Sequence, residues 1–129
     1  NEELPRHHED APTWGLQPAE PHISARVVAL CSRESQSYCE SCLAVLQHNH
    51  LATLVGQPTV GANGNVVLTP LPGKMNAYWT GMLVRNADHS RFFTRGIQPD
   101  ILVRRTLQDY VQGRDPELAK ALELLRAGM

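Results

Sequence analysis

The chain has 129 residues, 42% of them apolar and only 5% aromatic, which suits one domain with a core built from Leu, Val, Ile and Ala. Twelve Lys and Arg against 13 Asp and Glu leave a net charge of -1, which removes the electrostatic argument for a nucleic-acid binder. No apolar run approaches the ~20 residues of a membrane span, and the polar opening Asn1 to Asp10 does not read as a signal peptide.

Residues 1–25 carry Pro5, Pro12, Pro18 and Pro21 among scattered apolar residues, and are expected to form an extended tether. Val27 to Cys31 is a short apolar run with β-branched residues, predicting a strand buried on both faces. After the polar turn 32–36, Ser37 to His48 reads as a helix, with Cys39, Cys42, Leu43 and Leu46 at helical spacings. Ser37 and Glu40 fit a capping box at its start. Leu51 to Val55 predicts a second strand ended by Gly56, which completes a parallel βαβ unit.

In Gly56 to Asn65, three glycines and a proline mean that backbone shape governs the loop. Strands are expected at Val66 to Thr69 and Met75 to Trp79, and another at Gly81 to Arg85. A last short strand follows Gly96, over Ile101 to Val103. Thr106 should cap a helix over Leu107 to Gln112 that Gly113 stops. Asp115-Pro116-Glu117 starts a final helix whose apolar face is Leu118, Leu122 and Leu125.

Two groups of residues suggest chemistry. Cys39-Glu40-Ser41-Cys42 is a C-x-x-C, which reads as a redox pair, as two zinc ligands completed by His48 and His50, or as two small buried residues. Helical geometry argues against zinc, since His48 and His50 stand ~200° apart around the axis; no metal site is assigned. With Cys31 the cysteine count is odd, so no dense disulfide framework is implied. Ser37 stands where a strand and turn deliver the chain into a helix, and the Tyr38 N–H lies at that helix's positive end. This is the placement that nucleophilic serines use, with a backbone oxyanion donor alongside. It is also the ordinary place for a capping serine.

Four blocks, in order, are similar to the C-terminal-processing (tail-specific) serine peptidases, the family that includes the tricorn-type proteases. The first is Val27 to Leu30 with Ser35-Gln36-Ser37-Tyr38-Cys39-Glu40; the second is Ala52 to Gly64. The third is Leu71-Pro72-Gly73 with Trp79 to Met82; the fourth is Gly96 to Ile101, then Thr106 and Gly113-Arg114-Asp115. The resemblance implies an α/β fold of the ClpP/crotonase kind, here a βαβ layer of an incomplete domain with a C-terminal helix, over 26–129. It implies a peptidase that acts on protein or peptide substrates, without a cofactor and outside the cytoplasm. By the S-x-x-E motif it makes Ser37 the nucleophile and the Tyr38 N–H an oxyanion donor, with Gly61, Ala62, Asn63 and Gly64 shaping the substrate groove.

The family's general base is not matched. One branch has a lysine where this chain has Ala62; the other has an upstream histidine and a carboxylate at the position of Phe93. His48 lies eleven residues after Ser37, ~16 Å along one helix, beyond hydrogen-bond reach. His7, His8 and His22 fall in the tether. The alternative reading is therefore a non-catalytic ligand- or peptide-binding module on the same fold. The 56–65 loop is expected beside the start of the Ser37 helix. The strand at 26–31 should lack a neighbour on one side, which invites pairing with the tether or with a second copy in a homodimer.

Overall fold

The computed structural model describes residues 20–127 except residue 22. The expected tether therefore lies, up to residue 19, outside the described residues. Glu20, Pro21 and 23–25 are exposed.

The chain forms β1 (Val28–Cys31), α1 (Tyr38–His48), β2 (Thr53–Gly56), β3 (Val66–Leu71), β4 (Met75–Thr80), β5 (Ile101–Leu102), α2 (Leu107–Val111) and α3 (Pro116–Arg126). The apolar runs of β1, β2 and β5 build a three-stranded parallel sheet in the order β1-β2-β5. Ala29 pairs with Leu54, and Gly56 lies between Cys31 and Leu102. The expected βαβ unit is thus present, and the fold class is mixed α/β. No helix among the described residues is long and apolar enough to cross a membrane.

Leu54 is fully buried and packs with Cys31, Leu43, Phe92 and Ile97. Ala29, Ala44, Leu46 and Val84 close around them. Val55, equally buried, turns to the other face of the sheet because side chains alternate along a strand. The α3 helix packs against β1 and β2. Its Asp115 caps as expected, accepting from the Leu118 N–H at 2.9 Å, with Pro116 in the first turn.

Several expectations need correction. The first strand is not buried on both faces: Leu30 is 44% exposed, since β1 pairs with β2 alone among the described residues. Strand β2 starts two residues later than expected and includes Gly56, whose register is held from both sides. The buried stripe of α3 runs through Ala121, flanked by Glu117 and Leu124, while Leu118 and Leu122 are exposed. Of the three expected leucines only Leu125 is half-buried, because the small Ala121 lets the helix approach the sheet on that side. Gly81 to Arg85 is not a strand; it contributes one isolated bridge, Arg85 to Arg91. The hairpin β3–β4 forms as expected and extends through Pro70 and Leu71.

Candidate active site

Strand β1 ends at Cys31, and a tight turn follows in which the Ser35 N–H donates to the Ser32 carbonyl at 3.0 Å. Ser37 then enters α1 with φ 56° and ψ −125°. A non-glycine residue in that region costs on the order of 1–3 kcal/mol and persists only where its surroundings impose it.

Those surroundings are specific. The Ser37 N–H donates to the Ala62 carbonyl at 2.9 Å and to Glu40 Oε2 at 3.0 Å. One turn earlier the Val60 N–H donates to the Ser35 carbonyl at 3.1 Å. Ser37 and Glu40 thus form the expected capping box, the Glu40 carboxylate accepting from the Ser37 N–H. The Ser37 hydroxyl is exposed, two residues before the exposed Cys39 thiol.

Glu40 is the centre of the arrangement. It is fully buried, and every partner it has is a donor. Besides Ser37, the Thr59 hydroxyl donates to Oε1 at 2.5 Å, the Gly61 N–H to Oε1 at 2.7 Å and the Ala62 N–H to Oε2 at 3.2 Å. Thr59 Oγ1 in turn accepts from the Ile97 N–H at 2.8 Å. A buried carboxylate is tolerable only with such full satisfaction. Asn63 adds a link, its Nδ2 donating to Ser41 Oγ at 2.8 Å.

The loop is pinned from behind as well. Gly61 has φ 74°, and a Cβ there would meet the backbone nitrogens of Gly96, Thr94 and Arg95 at 2.7–2.9 Å. Its carbonyl accepts from the Thr94 N–H at 3.1 Å. At the other end of α1, Asp100 ties the helix to β2, accepting from the Leu54 N–H at 2.7 Å and from Gln47 Nε2 at 2.8 Å. The 59–63 stretch therefore lies beside the start of α1, as the βαβ crossover predicts: Ala62 bonds Ser37, Gly61 bonds Glu40 and Asn63 bonds Ser41, while Gly64 lies against Thr80 and Met82.

No histidine of the described residues is brought to Ser37 by α1. The helix is continuous from Tyr38 to His48, so His48 lies at its far end. The 86–90 turn that carries His89 lines a pocket with Ala44, Gln47 and His48, at that same far end. His7, His8 and His22 lie outside the described residues. Phe93 is half-buried, its ring edge-on to Phe92 at 6.3 Å.

Sequence reasoning missed two residues and misjudged two others. Glu40 is more than the cap and motif residue its spacing suggests, and Thr59 joins it; a glutamate three residues after a turn serine, with a threonine in a glycine-rich loop, is the signal that points to them. Cys39 and Cys42 are exposed, not two small buried residues. The inward face of α1 is set by Glu40 and Leu43, which turns both cysteines outward.

The fold has solved counterparts. A putative peptidase from Parabacteroides merdae superposes with a TM-score of 0.75 at 26% identity, over 85% of this chain and 35% of that one. Mature CPAF gives 0.58 at 28% identity, over 62% and 16% respectively. The tricorn protease gives 0.64 at 18% identity, over 79% and 10%, a likeness of fold alone. The chain thus spans about a third or less of these solved chains. No curated protein matches it. The model of Peptidase family S41 matches residues 3–103, more than three quarters of the sequence, and the chain belongs to that family.

Proposed function

We propose that these residues form the nucleophile-bearing part of a serine peptidase, with Ser37 as the nucleophile. The observation that carries this reading is the strained Ser37 backbone, held at φ 56° by the buried Glu40 carboxylate and the Ala62 carbonyl, with Ser37 itself exposed. Strain of this kind collects at catalytic turns. Ser37 Oγ attacks the peptide carbonyl, and the Tyr38 N–H, at the positive end of α1, donates to the developing oxyanion. The amine leaves, and water hydrolyses the acyl-enzyme ester. Gly61 to Gly64 form one wall of the groove that receives an extended protein or peptide substrate.

A serine hydroxyl needs a base to take its proton. With Ala62 at the family's lysine position, the base in this reading is a histidine supplied by a part of the full-length protein upstream of these 129 residues. The isolated 129-residue chain should therefore be nearly inactive. The test is labelling of the full-length protein with a serine-directed fluorophosphonate, together with cleavage of an unstructured peptide. Ser37→Ala should abolish labelling and lower kcat by ~10⁶-fold. Labelling at another serine, or cleavage that survives the substitution, would overturn the assignment. Ala62 and Phe93, both departures from the family's catalytic positions, favour a second reading as a peptide-binding module; saturable peptide binding without labelling would select it.

A further inference from the structure

Cys39-Glu40-Ser41-Cys42 is left unused by the catalytic reading, and the fold gives it an unusual position. Both thiols are exposed, in the first two turns of α1. The two residues they bracket are the ones that tie α1 to the 59–64 loop. Glu40 accepts from Thr59, Gly61 and Ala62, and Ser41 accepts from Asn63. Among the described residues, no group of three or more Cys, His, Asp and Glu could hold a metal ion. What remains for an exposed, adjacent pair of thiols is exchange chemistry.

The helix sets the spacing. Residues three apart on an α-helix have Cβ atoms ~5–6 Å apart on one face. A disulfide needs ~3.8 Å between them, with Cα separations well within helical range. The bond is therefore reachable, but closing it draws this part of α1 inward by more than 1 Å. Glu40 and Ser41 lie inside the closed ring and must move with it. The hydrogen bonds they accept are short and directional, so such a movement weakens them.

We propose that Cys39 and Cys42 form a reversible intramolecular disulfide, and that its closure releases the 59–64 loop from α1. The oxidant is a low-molecular-weight disulfide. One cysteine thiolate attacks it, expelling one small thiolate and leaving a mixed disulfide; the second cysteine thiolate then attacks the protein sulfur and expels the other. Two protein thiols lose two protons and two electrons, and the small disulfide takes these up to become two thiols. The proposal does not depend on Ser37 being a nucleophile.

Cys31 is an internal control. It is 3% exposed in the core, and burial, reinforced by Asp100 and Cys39, pushes its thiol up to about 11. Such a thiol is almost entirely protonated near neutrality and unreactive.

The test equilibrates the intact protein in oxidised and reduced glutathione, blocks remaining thiols, and maps the cysteines by mass spectrometry. Hydrogen exchange at the Gly61 and Ala62 amides is followed in both forms. Expected are a Cys39–Cys42 bridge lacking two hydrogens, reversal by dithiothreitol, and exchange at least ~10-fold faster when oxidised. Cys39→Ser and Cys42→Ser, at exposed positions, should each remove the response to oxidant. Glutathione adducts without ring closure, a bridge to Cys31, or a closed bridge with unchanged exchange would overturn the proposal.

Discussion

The start of α1 with its loop, and the β3–β4 hairpin, are held by opposite means. Around Glu40 the contacts are polar, internal and complete: one buried carboxylate accepts from Ser37, Thr59, Gly61 and Ala62. The hairpin is apolar and outward. Between Val66 and Thr80 the only charged residue is Lys74, and Val66, Leu68, Leu71, Met75, Tyr78 and Trp79 are all exposed. Since its pairs alternate faces, Leu68 with Tyr78 lies on one side and Val67 with Trp79 on the other. The hairpin is sustained by cross-strand pairs worth roughly 0.2–1 kcal/mol each, one of its side-chain links being the Trp79 Nε1 donation to Thr69 Oγ1 at 2.9 Å. Shape at the candidate site thus depends on a few indispensable polar atoms, whereas shape in the hairpin is spread over many weak contacts.

The largest effect should come from Glu40→Gln. The change is nearly isosteric, but the new NH₂ would face donors only. At least one buried donor loses its acceptor, and the expected loss is about 3 kcal/mol in chemical denaturation. A loss below ~1 kcal/mol would show that the Glu40 network does not hold the loop.

A pH titration sharpens the contrast at a third place, the α2 cap. Asp109 is lowered from 3.8 to about 2, first by the Thr106 hydroxyl and N–H, then by the Arg114 guanidinium. A folded-state pKa below the unfolded one stabilises the protein above ~4, and that contribution is lost as pH falls toward 2. Asp109→Asn should flatten the stability profile between pH 4 and 2 and leave its slope near neutrality unchanged. An unaltered acid limb would remove this cap as a contributor.

The smallest effect is expected in the hairpin. Tyr78→Ser, at a side chain 66% exposed, should change stability by about 0.5 kcal/mol or less. A loss above ~2 kcal/mol would mean that the hairpin is packed in solution and would erase the distinction between the two regions.

Much of this molecule was legible locally. Continuous apolar runs marked β1 and β2 because parallel strands bury whole segments. Asp115-Pro116-Glu117 marked the start of α3 because helix ends are set by nearby donors and acceptors. Ser37 stood out for the same reason, and the spacing of four blocks supplied the family. Less legible were features that depend on distant residues. Gly81 to Arg85 has strand composition, but among the described residues no neighbouring strand pairs with it along its length. The outward turn of Cys39 and Cys42 followed from Glu40 pointing inward, the reverse of what polarity alone suggests.

The sequence by itself determined the order of elements, the turn that carries Ser37, and the lack of a lysine at position 62. These are matters of local conformation and residue identity, readable within a few residues. Only the tertiary structure decided that Glu40 is a buried hub. Its acceptor oxygens are satisfied by Thr59, Gly61 and Ala62, about twenty residues away, once the βαβ crossover lays that loop against α1. The same contacts impose the φ of 56° at Ser37, because a strained backbone survives only where atoms distant in the chain converge to hold it.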